Sequence, residues 1–176
     1  MGYYTNFTGS VNIDPPLSEE MESYLKRFFN TRHYIRDKTK ILDALNIYGL
    51  SMESFTPPGT SDCGSNGELF AADYNKPAMD RYGHDVYFNN DEIDYNRPPT
   101  EIPSLWCGFE LKGKDTLVLL DGKNYEYVAW LEFLINKLLK PRGYTLNGYI
   151  EFDGEDDDDN GCIQITDNVV VVHYNE

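Results

Sequence analysis

Near the C-terminus the sequence carries oxygen-bearing side chains with the spacing of a calcium-binding loop. Counted from Asp156, such side chains fall at positions 1, 3 and 5 (Asp156, Asp158, Asn160), glycine falls at position 6 and Asp167 at position 12. This is the layout of an EF-hand loop, except that its last ligand is normally a bidentate Glu. The flanking segments have the pattern of strands rather than helices. An acidic β-turn without a cofactor, in which Gly161 takes a positive φ, is therefore the favoured alternative to calcium.

The three histidines have no comparable pattern. His33, His84 and His173 could each be paired with a cysteine and a carboxylate, but the chain has 30 carboxylates, so such pairings carry little information. The sequence contains no nucleophile elbow, Walker loop, zinc-protease helix or dinucleotide fingerprint. These observations favour a protein without catalytic residues.

The charge of the chain is large and unevenly distributed. There are 30 Asp and Glu against 15 Lys and Arg in 176 residues, which is a net charge of −15. Residues 46–105 hold −7 and residues 151–176 hold −9, whereas the other segments are nearly neutral. Negative charge disfavours direct binding to nucleic acid or to an anionic membrane, and favours a basic protein partner. The alternative is that acidic loops only keep the protein soluble.

Two short stretches of this acidic sequence form the predicted binding surface. Its members are Asp91, Glu92, Asp94, Glu155, Asp156, Asp157, Asp158 and Asp159. Duplex DNA presents about one negative charge per 1.7 Å of its axis, so a face that gathers this surplus approaches the charge density of DNA. Such a face would attract the basic groove of a nucleic-acid-binding protein. The prediction requires that the two stretches converge on one surface.

Three segments have the periodicity of helices that bury one face. Residues 21–29 and residues 127–139 place apolar side chains at intervals of three and four, and Pro141 ends the second segment. A shorter helix is predicted around residues 41–45. The two longer helices must cover the apolar face of a sheet.

Alternating apolar and polar residues predict the strands of that sheet. They cover residues 3–13, 105–111, 116–120, 144–152, 162–166 and 169–174. The order of strands and helices is that of a split βαβ unit. We therefore predict a single α+β domain over residues 1–176. It is a two-layer ferredoxin-like antiparallel sheet with two amphipathic helices on one face and a C-terminal β-hairpin extension.

Residues 53–103 form a long region that is rich in aromatic residues, proline and acidic side chains and has no sustained periodicity. A loop of this length in a domain usually has a function or is disordered. The aromatic residues indicate that the region packs on the body of the protein, and a binding loop is the alternative.

The cysteines and the N-terminus indicate the compartment. Cys63, Cys107 and Cys162 are odd in number and widely spaced, which argues against a disulfide framework and a zinc site. The N-terminus lacks the basic and apolar regions of a signal peptide, and no apolar run reaches the ~18 residues of a membrane span. We predict a cytoplasmic protein.

Several short motifs follow one another from residue 94 onward. They are DYNRPP at residues 94–99, LWC at 105–107, GYxLNG at 143–148 and GExxxDxGxI at 154–163. This series resembles a family of small uncharacterised acidic proteins found in bacterial and phage genomes, although Leu120 and Phe152 stand where tryptophan would be expected. The resemblance implies the cytoplasm of a bacterial or phage-infected host cell, and it implies no activity.

Charge and resemblance together predict a non-enzymatic interaction protein. Its partner would be a basic protein, and the chain would act as a phage-type inhibitor of a nucleic-acid-binding host or defence protein, in the manner of a DNA mimic or an anti-CRISPR protein. The first alternative is a structural module that self-assembles, for example as a homodimer. The second is a calcium-binding or small enzymatic domain.

Overall fold

A computed structural model describes residues 2–176 of the chain. The predicted α+β class is confirmed, and the residues divide into two units. The first unit contains the segment up to Ser18 together with Gly108–Glu176, and the second unit contains Glu19–Cys107. The single domain that the chain length suggests stays a prediction.

Within the described residues, the regular structure consists of ten strands and three α-helices. The strands are β1 (Asn6–Asp14), β2 (Ile35–Arg36), β3 (Ala78–Met79), β4 (Asp85–Val86), β5 (Glu92–Asp94), β6 (Phe109–Lys112), β7 (Thr116–Leu119), β8 (Thr145–Asp153), β9 (Asn160–Thr166) and β10 (Val169–Tyr174). The α-helices are α1 (Glu19–Phe29), α2 (Lys38–Tyr48) and α3 (Tyr127–Phe133). A π-helical segment, Leu134–Leu139, continues α3, and 3₁₀ turns cover Met52–Phe55 and Lys140–Arg142.

The first unit is built on a six-stranded antiparallel sheet in the order β10-β9-β8-β1-β7-β6. Its longest pairing joins β1 to β8, from Asn6 opposite Asp153 to Asp14 opposite Thr145. Strands β9 and β10 pair from Thr166 opposite Val169 onward. The predicted strands are therefore present, although the first begins at Asn6 and the second at Phe109, each later than the alternation suggested.

Alternate residues of this sheet are buried together with the apolar face of α3 and its π-helical continuation. The buried sheet residues include Val11, Ile13, Leu117, Leu119, Leu146, Ile150, Phe152, Ile163 and Ile165. The buried helical residues are Trp130, Leu131, Phe133, Leu134, Ile135, Leu138 and Leu139. This is the pattern of a sheet with one face in the core and one face in solvent.

The C-terminal half of the predicted helix over residues 127–139 is π-helical rather than α-helical. Pro141 follows it and has no N–H to donate to a preceding carbonyl. The Arg142 Nη1 instead donates to the carbonyl oxygens of Lys137 and Leu138, at 3.1 Å and 3.0 Å. The side chain of Arg142 therefore satisfies backbone acceptors that the helix end leaves open.

The second unit contains α1 and α2, together with a buried apolar cluster built from α2 and the following loop segments. The predicted face of α1 is buried at Met21, Tyr24, Leu25 and Phe28. The predicted short helix is confirmed as α2, whose N-terminus is capped by Asp37 and whose C-terminus is followed by Gly49 at φ 67°. A buried apolar cluster comprises Ile41, Leu45, Met52, Phe55, Cys63 and Phe70.

The region over residues 53–103 contains only short regular elements. Strands β3 and β4 pair with each other, as do β2 and β5. The rings of Phe55, Phe70 and Phe88 pack together, with centroids 5.1–5.2 Å apart. Strands of two or three residues are too short to show an alternation of apolar and polar residues, so the sequence of residues 53–103 has no strand pattern. Of the described helices, none has both the length and the apolar character needed to cross a membrane.

Candidate functional site

The turn between β8 and β9 holds five consecutive carboxylates, residues 155–159, which we call the acidic turn. Its backbone is closed by two hydrogen bonds. The Gly154 N–H donates to the Asp159 carbonyl at 2.8 Å, and the Asp159 N–H donates to the Asp156 carbonyl at 2.9 Å. Residues 155–158 are exposed and Asp159 is half-buried. The turn therefore has a defined backbone and presents its side chains to solvent.

Residues near the N-terminus anchor the acidic turn at both ends. The Tyr3 hydroxyl donates to Asp159 Oδ2 at 2.8 Å and accepts from the Asp156 N–H at 3.0 Å. The Tyr4 N–H donates to Glu155 Oε1 at 2.8 Å. The carboxylates of Asp156, Asp157 and Asp158 accept no hydrogen bond from any residue between 2 and 176. Three carboxylates thus remain available on a turn that is already ordered.

The second predicted stretch is only partly available for binding. Glu92 and Asp94 are exposed residues of β5, as expected. They belong to the second unit, whereas the acidic turn belongs to the first. The convergence of the two stretches on one surface stays a prediction.

Asp91, which was predicted to lie on the acidic surface, is buried, so its assignment was wrong. Its carboxylate forms an ion pair with the guanidinium of Arg36 and accepts a hydrogen bond from the Tyr34 hydroxyl at 3.2 Å. Only 2% of the Asp91 side chain and 4% of the Arg36 side chain are exposed. The physical reason is charge pairing, since a buried carboxylate needs a nearby cation. Asp91 is therefore a structural residue of the second unit.

The four residues of the calcium pattern do not come together. Asp156 and Asp158 lie in the acidic turn and Asn160 begins β9, but Asp167 follows β9 at its other end, after seven strand residues. The twelve-residue segment therefore does not fold as an EF-hand loop, which needs all its ligands around one centre. Across residues 2–176, no group of three or more His, Cys, Asp or Glu side chains is placed to hold a metal ion. Calcium as a cofactor of the chain stays a prediction.

The positive φ predicted for Gly161 is wrong. Gly161 is a buried strand residue of β9, paired with Phe152 on one side and Tyr174 on the other. A Cβ at this position would lie 2.0 Å from the His173 carbonyl oxygen. Close packing of the two neighbouring strands, rather than a left-handed backbone, therefore requires glycine here.

His33 and His84 each have a polar contact in the structure. The buried His33 donates its Nε2–H to the Phe28 carbonyl at 2.9 Å, and burial lowers the pKa of its ring to about 3. His84 lies on the surface with its Nδ1 3.5 Å from Asp80 Oδ2. Neither arrangement includes a nucleophile.

His173 is the one histidine that the sheet register places beside a cysteine and a carboxylate. Cys162 on β9 lies directly opposite His173 on β10 and opposite Glu151 on β8. Partners in register share one face of a sheet, and this face is the solvent side. All three cysteines of the chain are free thiols.

The second unit contains a pocket of about 590 Å³ that sequence reasoning missed. We call it the aromatic pocket. Its basic lining residues are Arg27, Arg32, Arg36 and Lys76, and its aromatic lining residues are Tyr34, Phe55, Tyr74, Tyr87, Phe88 and Tyr95. Asp73 is the one acidic side chain that lines it. The volume falls within the ~300–1,000 Å³ of pockets that bind small molecules.

Two arginines of the aromatic pocket stack on tyrosine rings. The Arg32 guanidinium carbon lies 4.2 Å from the centre of the Tyr95 ring, and the Arg36 guanidinium carbon lies 4.1 Å from the centre of the Tyr34 ring. Arg32 also donates from Nε to the Tyr95 carbonyl and from Nη2 to Asn96 Oδ1, both at 3.1 Å. The stacking and the hydrogen bonds together hold these planar cations in fixed orientations.

Trp106 lies next to this arrangement. Its side chain is exposed, its ring packs edge-on against Tyr74 at 5.4 Å, and it lies 6.0 Å from the Arg32 guanidinium. By contrast, Trp130 is fully buried. The signal that could have located the pocket is the concentration of arginine and tyrosine over residues 27–36 and 74–106.

The second unit also has a larger cavity of about 820 Å³, bordered by Glu19, Glu20, Glu53 and residues 56–61. Its one aromatic lining residue, Tyr24, is almost fully buried and donates its hydroxyl to the Leu69 carbonyl. This cavity therefore offers neither a stacking surface nor a concentration of cations. The smaller aromatic pocket has both.

Comparison of the chain with protein-family models, with curated proteins and with solved structures gives no match. The resemblance to a bacterial and phage family stays a prediction.

Proposed function

We propose that this chain is a non-enzymatic acidic interaction protein that binds the basic surface of a nucleic-acid-binding protein. The observation that carries the proposal is the acidic turn, with three consecutive exposed carboxylates on a backbone already held by Tyr3 and Tyr4. An ordered turn loses little conformational entropy when a partner binds, so more of the electrostatic attraction appears as affinity.

The charge of the first unit supports the same proposal. This unit contains 15 Asp and Glu residues against six Lys and Arg residues. An ion pair joins Lys112 to Glu110 in this unit, and no ion pair of the described residues involves residues 155–159. The negative potential around the turn is therefore not neutralised internally, and it can steer a basic partner towards the turn.

The proposed setting is the cytoplasm of a bacterial or phage-infected cell. The motifs of residues 94–99, 105–107, 143–148 and 154–163 support it through their resemblance to phage and bacterial proteins. The three free thiols are compatible with a reducing compartment. In this setting the acidic turn would occupy a basic groove that otherwise binds nucleic acid, as a DNA mimic or an anti-CRISPR-like inhibitor does.

We also propose that the sheet of the first unit is ferredoxin-like. The strand order β8-β1-β7-β6, with every neighbour antiparallel, is the order in which a βαββαβ chain places its strands. Strands β9 and β10 then form the C-terminal hairpin extension beyond β8. This assignment supports no particular function, since many functions occur on the fold.

The proposal predicts that the triple variant Asp156→Asn, Asp157→Asn, Asp158→Asn binds basic partners about tenfold more weakly. Three exposed charge pairs contribute about 0.5 kcal/mol each, which together is about tenfold in affinity. The measurement is affinity capture from a bacterial lysate at about 50 mM and about 300 mM salt, because screened pairs weaken as the Debye length shortens. Captured proteins are identified by mass spectrometry, and duplex DNA is added as a competitor.

The matched control is the triple variant Glu53→Gln, Asp85→Asn, Glu101→Gln, which removes three exposed carboxylates elsewhere. It should retain binding, and duplex DNA should displace the partner from the unmodified protein. Capture that is indifferent to salt, or that both triple variants weaken equally, contradicts the proposal. Capture of proteins without a basic nucleic-acid-binding surface contradicts it as well.

A second candidate function is self-assembly through the edge of the sheet. Strand β10 is an outer strand of the six-stranded sheet, so no strand formed by residues 2–176 pairs with the other side of its backbone. Its side chains Val169, Val171 and Tyr174 are exposed, at 61%, 44% and 64%. An edge strand with apolar side chains is a template for pairing with a second copy.

This candidate predicts a dimer mass by size-exclusion chromatography with light scattering, and loss of that dimer in Val171→Lys. A lysine on an edge strand is one of the residues by which proteins oppose edge-to-edge pairing, and two copies joined across β10 would bring such charges towards each other. Gln164→Lys, on the neighbouring strand β9, is the control and should remain dimeric. A monomer at every concentration tested argues against this candidate and leaves the acidic interaction protein as the proposal.

A further inference from the structure

The aromatic pocket concentrates positive charge in an acidic part of the chain. The second unit contains 15 Asp and Glu residues against nine Lys and Arg residues, but the pocket is lined by four of those cations and one carboxylate. The Asp91 carboxylate neutralises the charge of Arg36. The pocket lining then has three further positive side chains, Arg27, Arg32 and Lys76, and one negative side chain, Asp73. The pocket is therefore suited to an anion, although the unit as a whole is negative.

Two arginines of the pocket wall each have a buried N–H group without an acceptor among the described residues. Across residues 2–176, the buried Nε atoms of Arg27 and Arg36 have no hydrogen-bond partner. The Arg32 guanidinium, by contrast, donates from Nε to the Tyr95 carbonyl and from Nη2 to Asn96 Oδ1. Buried donors without acceptors are destabilising, so a ligand that supplies oxygen acceptors gains affinity by satisfying them. Phosphate oxygens match the planar guanidinium group best.

The aromatic side chains of the pocket indicate the other half of the ligand. Tyr87 is 60% exposed and Tyr74 is 56% exposed, so both present much of their rings to solvent. The Tyr95 ring already carries the Arg32 guanidinium on one face. Exposed aromatic rings next to planar cations form a surface on which a heterocyclic base can stack.

We propose that the aromatic pocket binds a nucleoside monophosphate. Its phosphate is held by Arg27, Arg32 and Lys76, and its base stacks among Tyr74, Tyr87 and Tyr95. The pocket encloses a volume suited to one such molecule. A nucleic-acid strand is disfavoured as the ligand, because its neighbouring phosphates would extend beyond the cations towards a surface with net negative charge. The inference does not rest on the acidic turn, which belongs to the first unit.

The test is isothermal titration calorimetry of the full chain at low salt with AMP, GMP, CMP and UMP as probes. At least one monophosphate should bind at least tenfold more tightly than its nucleoside, which lacks the phosphate. It should also bind at least tenfold more tightly than inorganic phosphate, which lacks the base. Arg32→Gln should weaken that binding at least tenfold, since it removes a charge-assisted contact. Tyr87→Ser, at an exposed position where folding is not at stake, should weaken it several-fold.

Arg97→Gln is the matched control, because Arg97 is an exposed arginine that does not line the pocket. It should bind the same monophosphate with unchanged affinity. The inference is overturned if no monophosphate binds at millimolar concentration, or if phosphate alone binds as well as the monophosphates do. It is equally overturned if Arg97→Gln weakens binding as much as Arg32→Gln does, or if a single-stranded oligonucleotide binds more tightly than every monophosphate.

Discussion

Replacing Asp91 by alanine is expected to lower the free energy of unfolding by about 3–5 kcal/mol. The reason is Arg36, whose side chain is only 4% exposed and whose guanidinium pairs with the Asp91 carboxylate. Without Asp91 the positive charge of Arg36 remains buried and has no counter-charge. Removing only one partner of a buried ion pair is therefore strongly destabilising. Unfolding in urea, followed by circular dichroism, measures the loss.

The surroundings of the pair explain why the second unit cannot easily adjust to this loss. Arg36 lies between the rings of Tyr34 and Phe70, at 4.1 Å and 5.0 Å from their centres, which limits the movement of its side chain towards water. The Asp91 carbonyl also accepts from the Asp37 N–H at 2.6 Å, and Asp37 caps α2. The ion pair therefore lies where β2, α2 and the residue before β5 meet.

Two variants separate the loss of charge pairing from other causes. Glu92→Ala removes an exposed carboxylate one residue away and should change the free energy of unfolding by less than about 0.5 kcal/mol. The double variant Arg36→Met, Asp91→Leu should regain most of the stability lost in Asp91→Ala, because apolar residues can replace both members of a buried pair. A loss below about 1 kcal/mol for Asp91→Ala would contradict this account.

Asp91 also illustrates a limit of sequence reasoning about charge. Asp91 and Glu92 are adjacent, and each contributes one negative charge to the sequence. In the structure, however, Asp91 is buried and Glu92 is exposed. The difference depends on Arg36, which lies 55 residues earlier and reaches Asp91 only in the folded chain. By contrast, all the carboxylates of the acidic turn are local in sequence, so their shared position on one turn could be predicted.

The helices and strands were predictable from the sequence where apolar residues recur at one regular interval over several helical turns or several strand residues. The apolar face of α1 and the stripe of residues 127–139 each repeat for at least eight residues, and both are buried as expected. The alternation of apolar and polar residues in β1, β8 and β9 was likewise sufficient to predict these strands. These patterns are local consequences of a helix or strand with one buried side.

The aromatic pocket was not predictable in this way. Its arginines come from α1, from β2 and from the segment between them, and its tyrosines come from residues 34, 74, 87 and 95. No period relates these positions, and each residue type is common on protein surfaces. Only the tertiary structure brings the guanidinium groups and the rings together, which is why the sequence favoured the acidic stretches as the functional site.

The stability of the protein is expected to fall as the pH is lowered below about 6.5, in part because of His33. Burial, with a smaller contribution from the positive charge of Arg36, lowers the pKa of His33 from 6.5 to about 3. Between these two pH values the unfolded chain binds a proton that the folded chain does not. The free energy of unfolding therefore decreases by roughly 1 kcal/mol per pH unit as the pH falls through this window.

The variant His33→Gln isolates this contribution from that of the many carboxylates. Glutamine can still donate to the Phe28 carbonyl, which His33 contacts at 2.9 Å, but it does not titrate. The variant should be less stable than the unmodified protein at about pH 7.5, and the difference should shrink steadily towards about pH 4.5, because only the unmodified protein loses the His33 contribution. Urea unfolding across this range measures it, with His173→Gln at an exposed position as the control. If the stabilities of His33→Gln and the unmodified protein fall in parallel, His33 is not the group that responds.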